Sequence, residues 1–576
     1  MDRRILTVAA LVWVASGGAA LAVALPSSPA EEPLPAAQRS LRRAAEYLGA
    51  SCEMLNRCDR HAIDGYYVAC QEAWNAAQTC PQAPEVLCEA TELYADALAG
   101  FLEASCRHGR IADGGVWVGP PTRLVKVPLV PKALPVPVEA IASLEPQAQA
   151  DDKRLTRRHL RDGFGLPVAV RIDPRRLGES DARYAPDRQS LAATAVLRFD
   201  MPGHENVVEK FVGPVLRDHA PAVLDLANPV EIAAVKIGPA RPHLAADLSA
   251  PLLDMLAGMP RSGLEGFIQP FGRTDTQPRL EFLEPHQPGR IPVVFIHGLA
   301  SDEGTWFDLI NELRAWPEFH RRFEPWVFHY PTGSSFLQAS ATLRRLLTEA
   351  VTGLDPQGRD PALRRLVLVG HSMGGLHAKM MVVDSGTAIW DSIATVPFDQ
   401  LRLPPRARAT VQQLAFFRPL PFVQRVVWIA TPHRGSVLAS LGVGRLASLV
   451  VREPPDIAAI REQAAALNPG VLRPEYAKRV PTTVDLLRPT ATTLQALERL
   501  RPACWVATHS IVGDGHLSLT GGRDDCVVSV ASAHAPWALS EICVPATHTK
   551  VHHHPLTVAE VRRILTQHLD EAARHP

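Results

Sequence analysis

A serine with glycines two residues away on either side, Gly370-His371-Ser372-Met373-Gly374, follows the apolar run Leu366-Val367-Leu368-Val369. A serine hydroxyl is a poor nucleophile at neutral pH. Chemistry at Ser372 needs a histidine to take its proton and a carboxylate to orient that histidine. When the serine stands on a strand-to-helix turn, the acid and then the histidine follow it along the chain. The acid expected on this order is Asp525, in Asp524-Asp525-Cys526-Val527-Val528 after a polar, glycine-rich loop, with Asp524 beside it and Asp514 as alternatives. The expected base is His548, in Thr547-His548-Thr549 at the end of the last strand. His552, His553 and His554 follow it and read as a solvated loop run, not as metal ligands. An acyl-transfer intermediate also needs two backbone N–H donors, which Met373, after the serine, and Leu299, after His297-Gly298, are placed to supply.

These groups require a frame that brings strand ends together. The four residues before Gly370 read as a buried strand, and Leu376 to Asp384 as the helix leaving a tight turn. From Ile291 onward, strands and helices alternate. The expected strands are Pro292–Ile296, Trp326–Tyr330, Arg425–Ala430, Cys504–Ile511 and Ile542–Ala546. A helix carries Phe336, Ala339, Leu343, Leu346, Leu347, Ala350 and Leu354 at helical period, and a last helix runs from Pro555 to Leu569. This alternation predicts an α/β architecture, a mostly parallel sheet with helices on both faces. Two long stretches, about 387–420 and 436–500, predict a cap at about 387–500. Within it, Val411 to Phe422 and Leu438 to Val451 are apolar enough to line a tunnel over Ser372 or to fill the cap interior.

Upstream of residue 286 the character changes. Met1-Asp2-Arg3-Arg4 and the apolar run Ile5 to Leu25 predict an export signal over residues 1–30, with Ala22-Val23-Ala24 as a cleavage site, or an anchor over residues 5–25. Residues 31–110 read as a Cys-rich helical region whose Cys52, Cys58, Cys70, Cys80, Cys88 and Cys106 suit three disulfides in an oxidising compartment. Of Cys504, Cys526 and Cys543, one pair and one free thiol are expected. Residues 111–285 combine a Pro-rich linker, with six prolines between Gly119 and Pro137, and a β-rich accessory domain, and residues 286–576 carry the α/β domain. Sixty basic residues balance sixty acidic ones, which gives no support for a nucleic-acid partner.

The chain resembles the bacterial esterase/lipase families of the α/β-hydrolase superfamily, in particular the lipase-like group that includes GPI-inositol-deacylase-like hydrolases. The likeness covers about 280–576. It rests on Phe295-Ile296-His297-Gly298-Leu299, Tyr330-Pro331-Thr332-Gly333, Gly370-His371-Ser372-Met373-Gly374-Gly375, Thr431-Pro432-His433-Arg434-Gly435-Ser436, and the tail around Asp525 and His548. Leu244 to Pro251 and Leu283-Glu284-Pro285 also look like the segment preceding the hydrolase domain in exported members. The family usually has glycine where Cys526 stands. The resemblance implies Ser372 as nucleophile, Asp525 as acid and His548 as base. The expectation is therefore an exported, periplasmic or extracellular carboxylic ester hydrolase without cofactor or metal. Its substrate would be a small-molecule or lipid ester, met in part at a membrane surface. An acyltransferase, or an inactive cell-envelope binding or scaffolding protein, is the alternative.

Overall fold

The computed structural model describes residues 35–79, 83–146, 155–199, 222–258, 277–299, 301, 303–331, 335–436, 455–518 and 522–574. The export segment, Cys80 and the stretch Leu438 to Val451 lie outside them. No helix among the described residues is long and apolar enough to cross a membrane.

Three helices, α1 (Ala36–Asn56), α2 (Ala62–Thr79) and α3 (Pro84–Arg107), come first. They bury Leu41, Tyr66, Tyr67, Trp74, Tyr94 and Phe101 at helical spacing. A seven-stranded sheet follows in the order β1-β2-β3-β8-β7-β6-β4. Its strands are β1 (Ile111–Ala112), β2 (Gly115–Val118), β3 (Val125–Lys132), β4 (Ile141–Pro146), β6 (Leu166–Ile172), β7 (Gln189–Arg198) and β8 (Val223–Ala227). The two-residue strands β5 (Leu160–Arg161) and β9 (Ala246–Asp247) pair beside it. Helices and sheet share one hydrophobic cluster, in which the Tyr94 hydroxyl donates to Leu197 O at 2.7 Å. The proline-rich connector is a correction to the expectation: it supplies β3, because Val127 and Leu129 alternate into this core despite Pro128 and Pro131.

The disulfides are a second correction. Cys52, Cys58, Cys70, Cys88, Cys106, Cys504, Cys526 and Cys543 are all free thiols. Cys70 is buried inside the shared core, whereas Cys52 accepts a hydrogen bond from the Tyr66 hydroxyl at 3.3 Å and Cys88 lies 3.7 Å from Glu92 Oε1. The helical region packs on a whole sheet and shares a hydrophobic core with it.

The second seven-stranded sheet has the order β10-β12-β11-β13-β14-β15-β18. Its strands are β10 (Arg279–Phe282), β11 (Ile291–Ile296), β12 (Phe323–His329), β13 (Leu366–His371), β14 (Val423–Ile429), β15 (Ala507–Gly513) and β18 (Ser540–Val544). Only β10 runs antiparallel to its neighbour; the remaining pairs are parallel. Successive residues point to opposite faces, so Val294, Ile296, Leu366 and Leu368 enter one core and Val293, Phe295, Val367 and Val369 the other. Burial on both faces accounts for the near-continuous apolar strands. The stacked rings of Tyr184, Phe282 and Trp326, with centroids 4.5 and 4.1 Å apart, tie the first unit to the β10 edge.

A charged side chain of β14 is buried in the core. Arg425 is fully buried and donates to His568 Nδ1 at 3.1 Å and to His509 Nε2 at 2.5 Å, and it pairs with Glu571. His568 passes its own Nε2–H to Arg365 O at 2.9 Å, and His509 its Nδ1–H to Ser540 Oγ at 2.7 Å, so both rings accept from Arg425 only while neutral. Burial first, and the Arg425 charge next, hold His509 down to about 3 and His568 down to about 4. The unfolded chain therefore binds more protons below about pH 6.5, and stability falls as pH drops from there toward 4, by roughly 1.4 kcal/mol per pH unit for each histidine. Urea unfolding between pH 7 and pH 4.5 should show this slope, and His568→Gln, which keeps both hydrogen-bonding groups without titrating, should flatten it. An unchanged slope in that variant would contradict the neutral ring.

Candidate active site

Ser372 stands where β13 ends and the helix Met373–Val382 begins, with φ 55° and ψ −125°. A non-glycine residue holds this left-handed backbone only when its surroundings fix it. Here the following helix is pressed against neighbouring backbone. A Cβ on Gly374 would lie 2.0 Å from Ile296 O, and one on Gly375 would lie 1.8 Å from Thr431 Oγ1. Glycine at both positions is what lets the helix approach β11 and the loop after β14.

The structure brings Ser372, His548 and Asp525 together from three distant stretches. His548 Nε2 is 2.8 Å from Ser372 Oγ, and His548 Nδ1 is 2.6 Å from Asp525 Oδ2. A carboxylate only accepts, so Nδ1 carries the proton and Nε2 is left to accept from the serine hydroxyl. Asp525 is 1% exposed. Its Oδ1 accepts from Val527 N at 2.9 Å and Val528 N at 2.7 Å, and its carbonyl accepts from His548 N at 2.8 Å. The turn Asp525–Val528 thus fixes the carboxylate and the histidine main chain at once. The alternatives face elsewhere: Asp524 Oδ1 meets His516 Nδ1 at 2.8 Å, and Asp514 meets Arg523 at 3.0 Å.

Met373 opens its helix, where the first N–H groups lack intrahelical acceptors. Leu299 follows a loop that skims the serine, since a Cβ on Gly298 would lie 2.9 Å from Ser372 Cβ. That loop is held from behind: the Tyr330 hydroxyl donates to His297 O at 2.9 Å, and the two rings stack at 4.4 Å.

Other contacts were not legible as functional in the sequence. His371, inside the glycine-serine motif, is buried, and its Nε2 donates to His548 O at 3.0 Å. Ser436 Oγ donates to Val527 O at 2.5 Å, while its own N–H donates to Leu487 O at 2.8 Å, so the loop after β14 joins the Asp525 turn to the helical insertion. The only available signal for Ser436 was its place in Thr431-Pro432-His433-Arg434-Gly435-Ser436. His552 corrects the solvated reading of the histidine run. It is 5% exposed, between the Trp306 ring at 6.0 Å and the His371 ring at 4.8 Å. Burial first, then His553 and His548, push its pKa down to about 3. Lys379, on the helix leaving Ser372, is brought down to about 7 by burial and lies 4.2 Å over the Trp537 ring.

Residues 293–561 match the model of the alpha/beta hydrolase family. This part of the chain has the α/β-hydrolase fold. Among solved structures, the hydrolase is similar to Bacillus licheniformis lipase BlEst2 in mature form, at 16% identity and TM-score 0.30, over 48% of this chain and 93% of that one. It is also similar to Staphylococcus hyicus lipase, at 14% identity and TM-score 0.31, over 50% and 98%. A further likeness is to a lipase-esterase related protein from Clostridium acetobutylicum, at 10% identity and TM-score 0.26, over 50% and 99%. No match is found among curated proteins. The hydrolase domain packs His552 against His371 as it would any core side chain. His552→Ala should therefore lower unfolding free energy by about 2 kcal/mol, read by urea denaturation at pH 7. A change below measurement error would place this ring in solvent.

Proposed function

We propose that the chain hydrolyses carboxylic esters through an acyl-enzyme on Ser372. The observation that carries this reading is the hydrogen-bond chain from Ser372 Oγ through His548 to Asp525 on a strained strand-to-helix turn. In this reading His548 takes the serine proton as the hydroxyl attacks the ester carbonyl, and Asp525 stabilises the imidazolium that forms. The N–H groups of Met373 and Leu299 receive the negative oxygen of the tetrahedral intermediate. His548 then gives its proton to the leaving alcohol, and a water activated in the same way releases the acid.

The substrate class is read from the surroundings of the turn. Within Val411 to Phe422, Ala415, Phe417 and Leu420 are buried, with the Arg344 guanidinium 4.2 Å over the Phe417 ring, which supports a filled cap interior at these side chains. A small apolar cleft lies elsewhere, between Phe336, Leu376, Leu486, Leu487, Leu494 and Leu497. Leu376 stands one helical turn beyond Ser372, which suits an acyl chain laid against the insertion helices, each buried methylene contributing roughly 0.8 kcal/mol. Lipid-like acyl esters are the substrates we favour. Export through the apolar run Ile5 to Leu25, and action at a membrane surface, belong to the same proposal.

Ser372→Ala should abolish labelling by a fluorophosphonate and cut kcat by roughly 10⁴-fold or more. Labelling that persisted in this variant would place the nucleophile elsewhere. Asp525→Asn should lower kcat by about 10⁴-fold, whereas Asp524→Asn should stay within about tenfold of the parent; the reverse ranking would exchange the two carboxylates. Across nitrophenyl esters of two to sixteen carbons, kcat/KM should rise to an optimum beyond four carbons, and a steady fall from acetate would rule out an acyl seat.

A further inference from the structure

The turn that carries Asp525 has a second, outward face. The strands β16 (His516–Ser518) and β17 (Gly522–Asp524) form an antiparallel hairpin in which His516 lies directly opposite Asp524. Two residues further on, Cys526 adopts φ 78°, a conformation that costs an L-residue energy and that glycine adopts freely. Its N–H donates to Asp524 Oδ1 at 3.0 Å, which folds the chain back against the hairpin. Cys526 is exposed and Asp524 half-buried, while Asp525 between them is buried against His548. Alternation along the chain thus separates the three: one carboxylate faces the histidine, and a carboxylate and a thiol face outward beside an imidazole.

One ring nitrogen of His516, an Asp524 carboxylate oxygen and Cys526 Sγ all lie within 4.8 Å of one another. We propose that they form a binding site for a borderline-soft divalent cation such as zinc(II). A tetrahedral ion with bonds of about 2.0–2.3 Å holds its ligands roughly 3.4–3.7 Å apart, so small side-chain rotations close the set. An imidazole nitrogen and a thiolate select zinc over calcium or magnesium, which take oxygen ligands. Arg523, the cationic residue next to Asp524, is engaged by Asp514 at 3.0 Å. Binding releases the Cys526 thiol proton to solvent, moves the His516 ring proton from Nδ1 to Nε2 through solvent, and replaces the His516–Asp524 hydrogen bond with two bonds to the metal; water fills the fourth position. The cation would bracket Asp525 from both sides in sequence, so occupancy would stiffen the turn that aims this carboxylate. That consequence rests on the reading of Asp525 as the acid, whereas the binding itself does not.

Cobalt(II) titration of the reduced, chelator-treated full chain tests the site without any ester substrate. One equivalent should bind with a thiolate-to-cobalt charge-transfer absorption, and zinc(II) should bleach it. Cys526→Ala should remove the band, His516→Ala should weaken binding by at least tenfold, and Cys504→Ala/Cys543→Ala should leave it in place. Zinc should also raise Tm in the parent and not in Cys526→Ala. No band, a band that survives in Cys526→Ala, or an equal Tm rise in both proteins would overturn the proposal.

Discussion

The left-handed backbone at Ser372 is the constraint from which the arrangement around it follows. A residue forced to φ 55° at a strand end is held only by what surrounds it. That support comes from two close approaches, the helix backbone onto Ile296 O at Gly374 and onto Thr431 at Gly375. These contacts lie at the carboxyl end of β11 and just beyond that of β14. The parallel order β11-β13-β14 is therefore more than a scaffold for the serine. It supplies the walls that keep the turn strained and the hydroxyl directed out of the sheet.

Around that turn, the polar groups are arranged so that each ring nitrogen has one role. Asp525 fixes the tautomer of His548, and His371 fixes the main chain of the same residue. Burial keeps His371 well below its ordinary pKa, so its Nε2–H remains a neutral donor and no second positive charge competes beside His548. Tyr330 and Ser436 act one step further out, on the His297 carbonyl and the Val527 carbonyl. Support of this kind holds the Ser372, His548 and Asp525 groups in place, as the proposed proton transfer requires.

Much of this frame was readable from the residues alone. Apolar strands alternating with helical periods reveal a two-faced parallel sheet, because burial on both faces leaves no polar alternation to confuse it. Ser372 was legible because close packing demands glycines around it. Asp525 and Asp524, in contrast, are the same chemical group at adjacent positions, and the tertiary structure separates them: Asp525 is buried against His548, and Asp524 pairs with His516 across the hairpin. The cysteines misled because an even count speaks of pairing only where a region lacks its own core, and the core shared by α1–α3 with the first sheet is a tertiary fact. Likewise, His552 reads as a loop residue until Trp306, nearly 250 positions earlier, closes over it. Val411 to Phe422 shows the same limit: apolar spacing does not distinguish the lining of a cleft from the filling of an interior.

Arg425 has a consequence for the order of events during synthesis. It sits in the middle of β14, between β13 and β15, yet its charge partner is Glu571 and one of its two histidine acceptors is His568, both on the helix Pro555–Arg574. Until some 145 further residues have been made, this guanidinium lacks Glu571 as its charge partner, and an uncompensated buried charge costs several kcal/mol. Burying Arg425 before that helix exists would thus be unfavourable. A nascent chain that has passed β14 would hold that strand solvated and open to the later ones, so the final helix acts as a latch on a unit that completes itself late.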